Sequence, residues 1–186
     1  MDFVTCKTDL AVAHKMVFIN HLVAGEYAQT RVVEKALRHM SRSLRYVNAA
    51  TTCLDVFADD VLGHPIAIVA PAVPPVILSP GDEGVVEEAF DEKPKSKKAK
   101  TAPPVRHLDA DQIDALYAVV SQAITLIDTW AVNLRGEGDD ITSALLVLAS
   151  TELDEALSKL SEAEAGAKLH AFAASEHASA SRSVGL

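Results

Sequence analysis

Five cationic side chains recur along one stretch of the sequence at the spacing of a single helix face. They are Arg31, Lys35, Arg38, Arg42 and Arg45, separated alternately by four and three residues. In a helix this row extends about 21 Å along one side. A row of this kind predicts contact with an anionic surface, either a phosphate backbone or an acidic protein. A solvated surface that binds nothing is the third interpretation.

The surroundings of these cations limit what kind of nucleic acid they would recognise. No aromatic residue alternates with them on the same side of the helix. Stacking of bases on aromatic side chains is therefore not expected, and neither is sequence-specific recognition. The competing acidic partner is present in the chain itself. Residues 106–186 hold thirteen acidic and five basic residues, which is most of the net charge of −9.

Motifs for catalysis and cofactor binding are missing from the sequence. It contains no GxxxxGK[ST], no GxGxxG and no GxSxG pattern. Gly138-Asp139-Asp140 is interpreted as the start of a helix, where Asp caps the backbone. His14 and His21 are seven residues apart, about 10 Å along a helix, which is too far to share one metal ion. We expect a non-enzymatic protein without cofactor or metal.

The two cysteines, Cys6 and Cys53, have no spacing typical of metal or redox sites. Two free thiols in a reducing, intracellular compartment are the expectation. No signal peptide is recognised, and no run of about 18 apolar residues predicts a membrane span.

Hydrophobic periodicity predicts two helices in residues 1–63. The first is expected to begin at Thr8 or Asp9 and to bury Val12, Met16, Ile19 and Val23, with Phe18 and Leu22 widening that face. The second, 26–62, is long, with a weak point at 51–53. Its apolar seam consists of Val33, Leu37, Met40, Leu44, Val47, Ala50, Leu54, Phe57 and Val61.

Residues 64–107 are predicted to be a connector rather than a helical element. The apolar part, 64–80, contains five prolines, which exclude a regular helix. It is interpreted as an ordered cover of the core, with docking to an aromatic groove as the alternative. Acidic residues and the lysine run Lys93–Lys100 follow, with the composition of a disordered linker. A nuclear location is expected only if this run is an import signal.

Residues 108–168 predict an αα-hairpin, followed by an Ala/Ser-rich tail at 169–186. Asp109 and Gln112 have the spacing of a capping box. The seam of the third helix consists of Ile113, Tyr117, Val120, Ile124, Ile127, Ala131 and Leu134. The fourth helix has the face Leu146, Ala149, Leu153, Ala156 and Leu160. The four-residue connection between these two helices is typical of antiparallel neighbours.

The sequence therefore predicts an all-α protein of two helical hairpins, resembling a bundle. Protein–protein assembly is the expected function, as an oligomer or as a component of a large assembly such as a virus particle. The expected partner is a copy of the chain or another assembly component. The alternative is an accessory protein that binds nucleic acid through the five cations.

Overall fold

The computed structural model describes residues 2–27, 30–64, 66 and 107–183, with side chains as far as residue 173. Four α-helices account for most of them: α1 (Phe3–Gly25), α2 (Arg31–Leu62), α3 (Ala110–Gly136) and α4 (Asp140–Ser183). The described residues form no β-strand. The prediction of an all-α, bundle-like fold is confirmed. The Pro-rich and charged parts of the connector, including Lys93–Lys100, lie outside the described residues apart from Ile66, which is buried.

Helix ends in the second hairpin follow the predicted capping chemistry. The Gln112 backbone N–H donates to the Asp109 carboxylate over 2.8 Å, and the Asp109 N–H donates to the Gln112 side chain over 3.1 Å. Asp139 accepts a hydrogen bond from the Thr142 N–H at the start of α4. Gly138, in the connection before it, has a φ of 89°, which a glycine adopts without the strain that other residues incur.

The predicted start of α1 at Thr8 or Asp9 is wrong. Asp2 caps the helix, because its carboxylate accepts hydrogen bonds from the N–H groups of Val4 and Thr5. Asp9 instead accepts a hydrogen bond from the indole Nε1 of Trp130 over 2.9 Å. This contact between α1 and α3 depends on the tertiary structure, so local sequence signals could not reveal it.

Two further boundaries differ from the sequence prediction. Helix α2 begins at Arg31, with the Thr30 hydroxyl as its cap, rather than at Glu26. It passes through Thr51 and Thr52 without a break, since both hydroxyls bond to carbonyls four residues earlier. Helix α4 continues through the Ala/Ser-rich segment to Ser183, which makes it the longest element at 44 residues.

The four helices enclose one core in which each helix packs on two others. Both α2 and α3 pack on α1 and on α4, whereas α2 does not contact α3 and α1 does not contact α4. Asp9 meets Trp130 and Tyr27 meets Gln112, so α1 and α3 are antiparallel. Because each helix is antiparallel to both of its neighbours, α2 and α3 point the same way, and the end of α2 and the start of α3 lie at opposite ends of the bundle. Bundles with one long crossover have this topology.

The buried side of α1 is not the side predicted from periodicity. Its most buried positions include Cys6, Leu10, Ala13, Val17 and Ala24, whereas Phe18 and Leu22 are exposed. The predicted Val12, Ile19 and Val23 are half-buried, and only Met16 is fully buried. Apolar residues surround α1, so periodicity could not indicate which side faces the core.

The seams of the other helices lie largely where the sequence places them. Leu37, Met40, Leu44, Ile113, Val120 and Ile127 are buried, and Ile124 is partly buried against the core. The five predicted face residues of α4 are all fully buried. Val61 and Tyr117 are exceptions, since Val61 lies exposed in the last turn of α2 and the Tyr117 side chain on α3 is 38% exposed.

Helix α3 is long and apolar enough to cross a membrane, judged by length and composition alone. In the bundle its apolar face is used inside the core, and its outer side carries polar residues such as Gln122, Thr125 and Asp128. An amphipathic core helix passes the same test of length and composition. The expectation that the protein does not span a membrane stays a prediction.

The packing of α3 is tested by two truncations two residues apart. Leu134→Ala removes a fully buried side chain and is expected to lower the free energy of unfolding by about 3 kcal/mol. Val132→Ala, at a side chain that is 72% exposed, is expected to change it by less than about 0.5 kcal/mol. Urea unfolding followed by circular dichroism measures both. Equal effects would contradict this orientation of α3.

Candidate interaction site

The five predicted cations lie together on the outer side of α2. Arg31, Lys35, Arg38, Arg42 and Arg45 are all exposed, opposite the buried seam of the same helix. We call these five residues the basic row. Arg38 pairs with Glu34 over 3.2 Å within the helix, a contact between two exposed side chains. Such pairs contribute little and leave most of the charge facing solvent.

Only one member of the basic row pairs with an acidic residue of another helix within the described residues. Arg42 lies 3.8 Å from the Glu152 carboxylate of α4, and the same carboxylate lies 2.7 Å from His39 Nδ1. Glu152 and Glu155 are three residues apart in the sequence, a spacing that predicts one solvated acidic face. Glu152 is instead half-buried at the contact between α2 and α4, whereas Glu155 is exposed. Its pairing with His39 depends on residues 113 positions apart.

Three cations of the row have no acidic partner in the part of the chain that the structure describes. No carboxylate there lies within 4.0 Å of Arg31, Lys35 or Arg45. The described carboxylates of α3 and α4 therefore leave these three cations unpaired.

Acidic residues collect on the outer side of α3 and along its boundary with α4. Asp111, Asp114, Asp128, Asp154 and Glu155 are exposed there, and we call them the acidic face. Partial burial, together with the nearby charges of Asp128 and Glu155, raises the pKa of Asp154. Lys168, which pairs with Glu164, is close enough to Asp114 and Asp111 to interact with their charges. Like charges close together make this surface favourable for a cation.

The basic row and the acidic face lie on opposite sides of the bundle. Helices α2 and α3 are diagonal neighbours, since each packs on α1 and α4 but not on the other. Residues on their outer sides therefore point in opposite directions. The row covers about 21 Å, and the stretch from Asp111 to Asp128 covers about 26 Å. The molecule has a positive side and a negative side of similar length.

The outer side of α1 carries one of the exposed apolar surfaces among the described residues; Leu169 and Phe172 of α4 are another exposed pair. Phe18 and Leu22, one turn apart, are 43% and 52% exposed. His14 stacks on Phe18, with ring centroids 6.0 Å apart and planes 17° apart. Burial lowers the pKa of His14, so its neutral ring extends this apolar strip. We call His14, Phe18 and Leu22 the α1 strip.

A groove of about 680 Å³ lies where α2 and α3 begin beside the second half of α4. Its lining is mostly apolar, from residues such as Val33, Ile113 and Ala167. Asp109 and Thr30 also line it, but both side chains already cap the adjoining helices. The described residues contain no group of three or more His, Cys, Asp or Glu placed to hold a metal ion.

Comparison with other proteins adds no relative to this description. No protein-family model, curated protein or solved structure matches the chain.

The two histidines of α1 predict a loss of stability at mildly acidic pH. Burial lowers the folded-state pKa of both His14 and His21 below 6.5. As the pH falls, these histidines therefore take up protons in the unfolded chain before they do so in the folded protein. Their contribution to the free energy of unfolding is complete above about pH 6.5 and decreases as the pH falls below that value. His14→Gln/His21→Gln is expected to flatten the decrease in unfolding free energy between about pH 7 and pH 5. An unchanged slope in urea titrations would contradict this assignment.

The two free cysteines are expected to differ strongly in reactivity. Cys6 is fully buried, and desolvation together with nearby carboxylates raises its pKa to about 12, whereas Cys53 is partly exposed. A thiol reacts as its thiolate, so a disulfide reagent near pH 8 should label Cys53 first. Cys6 should react only on unfolding. Equal labelling of native Cys53→Ser and Cys6→Ser variants would contradict this prediction.

Proposed function

We propose that this protein is a non-enzymatic helical assembly module that pairs with copies of itself through the outer side of α1. The observation that carries the proposal is the α1 strip, in which Phe18 and Leu22 remain about half exposed. Apolar residues occur all around helix α1, with Lys15 one turn before Phe18 as a charged member, although the helix lies at the edge of a four-helix bundle. A helix of that composition is normally covered on every side.

A second copy provides a matching surface by symmetry. A twofold axis beside α1 would place each strip against the other, as in the isologous contacts of homodimers. Burying the exposed halves of two Phe and two Leu side chains contributes about 4 kcal/mol. A net gain of that size corresponds to a dissociation constant of about 1 mM, and association costs offset part of it. We therefore expect further residues of α1, such as the exposed Val4, to join the contact and bring pairing into the millimolar range.

Light scattering at rising protein concentration tests the pairing. The mass is expected to increase from the 19.8 kDa monomer towards twice that value, equally at about 0.05 M and 0.5 M salt, because apolar contacts are not screened. Phe18→Ser/Leu22→Ser should keep the monomer mass over the same range. The fold should survive, since both side chains lie outside the core.

The matched control is Val132→Ser/Ile141→Ser. Val132 and Ile141 are 72% and 69% exposed, more than the α1 pair, but lie on α3 and α4. This variant should associate as the original protein does. A mass that stays monomeric for the unmodified chain up to about 1 mM would contradict the proposal. Equal loss of association in both variants would also contradict it.

The second candidate function is binding of a phosphate backbone through the basic row. It is supported by five exposed cations within about 21 Å, three of them without an acidic partner in the described residues. Fluorescence anisotropy with a short DNA or RNA duplex at about 0.05 M salt measures it, with affinity falling steeply as salt rises. The row carries no exposed aromatic side chain, and the net charge of −9 opposes approach of a polyanion.

A further inference from the structure

The positive and negative sides of the bundle point to a second interface between copies. We propose that the basic row of one molecule docks on the acidic face of the next, so that molecules associate in a head-to-tail chain. This inference deepens the proposed function as an assembly module. It uses a different surface from the α1 strip, so either can fail without the other.

Charge complementarity is the first step of the argument. Arg31, Lys35 and Arg45 have no carboxylate within 4.0 Å among the described residues. On the other side, Asp128 and Glu155 lie near Asp154, and partial burial together with repulsion from these two charges raises the pKa of Asp154. Docking would pair charges that, among the described residues, are unpaired or repel one another.

The dimensions of the two surfaces also agree. Each follows a straight helix, with about 21 Å of cations on α2 and about 26 Å between Asp111 and Asp128 on α3. Between the two aspartates that begin and end this stretch, the outer side of α3 carries the small residues Ala118, Ser121 and Thr125 together with the longer Gln122. Long Arg and Lys side chains can lie over such a surface while their charged ends reach the carboxylates.

The positions of the two surfaces decide the geometry of the assembly. They lie on opposite sides of the bundle, because α2 and α3 are diagonal neighbours. A contact between two different surfaces is heterologous. Because these two surfaces lie on opposite sides of the molecule, a dimer leaves one basic row and one acidic face free for further molecules. Association by this route therefore continues beyond a dimer and weakens with salt, in contrast to the salt-insensitive pairing of α1.

Charge-reversal variants test the docking. The row variant is Arg31→Glu/Lys35→Glu/Arg45→Glu, which leaves Arg42 and its contact with Glu152 intact. The face variant is Asp114→Lys/Asp128→Lys/Asp154→Lys. All six positions are exposed, so the fold should be retained, as circular dichroism and urea midpoints would verify. Glutamine replacements at the same six positions provide milder versions if either variant unfolds.

The measured quantity is the mass at about 0.01 M salt divided by the mass at about 0.5 M salt, from light scattering at several protein concentrations. Any pairing through apolar α1 contributes to both masses and largely cancels. For the unmodified chain the ratio is expected to rise from one to about two or more near 1 mM protein. Each variant alone should keep a ratio of one. An equal mixture of the two should regain the increase, because the altered surfaces are complementary again.

Net charge provides the discriminating control. The face variant and a control variant, Glu26→Lys/Asp59→Lys/Asp60→Lys, both move the net charge from −9 to −3. The control acids are exposed and lie outside both surfaces. Docking predicts that the control variant associates at least as strongly as the unmodified chain, whereas the face variant does not. If lower net charge alone promoted association, both variants would associate more strongly.

Several outcomes would overturn the inference. One is a mass ratio of one for the unmodified chain at all concentrations; another is failure of the mixture to associate. A third is a row variant that associates normally but no longer binds a DNA or RNA duplex, which would assign the basic row to nucleic acid. The Phe18→Ser/Leu22→Ser variant separates the two interfaces. If it loses the salt-insensitive dimer but keeps the mass ratio of the unmodified chain, docking of the basic row on the acidic face does not depend on the α1 strip.

Discussion

The packing of α4 between α2 and α3 is the contact on which the bundle depends. Leucine and alanine alternate along its buried face, at Leu146, Ala149, Leu153, Ala156 and Leu160, and all five side chains are fully buried. The leucines fill the core, and the alanines let the neighbouring helices approach closely. Because α2 and α3 do not contact each other, α4 joins the two hairpins on one side of the core and α1 joins them on the other.

Each of the two joining helices, α4 and α1, also makes polar contacts with its neighbours. At α4, Glu152 contacts His39 and approaches Arg42, which fixes the position of α2 against α4 through a half-buried polar contact. At α1, the Trp130–Asp9 hydrogen bond and the Lys7–Asp55 ion pair play the same role towards α3 and α2. Such contacts specify which helix faces meet, because a buried polar group left without its partner is costly.

Exposed features of the bundle follow from the same arrangement. The core uses one side of each helix, so the outer side of α1 remains apolar while α2 and α3 carry opposite charges. The functional proposals concern these outer sides. The apolar strip on α1 favours symmetric pairing, whereas the charges on opposite sides favour a contact that repeats. A protein with both kinds of surface has the elements of an extended assembly.

The sequence by itself determined the four helices, most of their ends and the buried faces of α2, α3 and α4. These are local properties: caps such as Asp109 act within one turn, and a helix with one polar side shows its apolar seam directly. The same reasoning failed at Phe18 and Leu22, since α1 has no polar side to mark the direction of solvent. Only the tertiary structure decided which side of α1 is buried, how Asp9 and Glu152 find Trp130 and His39, and that the basic row and the acidic face lie opposite each other. Each of these depends on how distant helices are arranged in space, and periodicity within one helix carries no information about its neighbours.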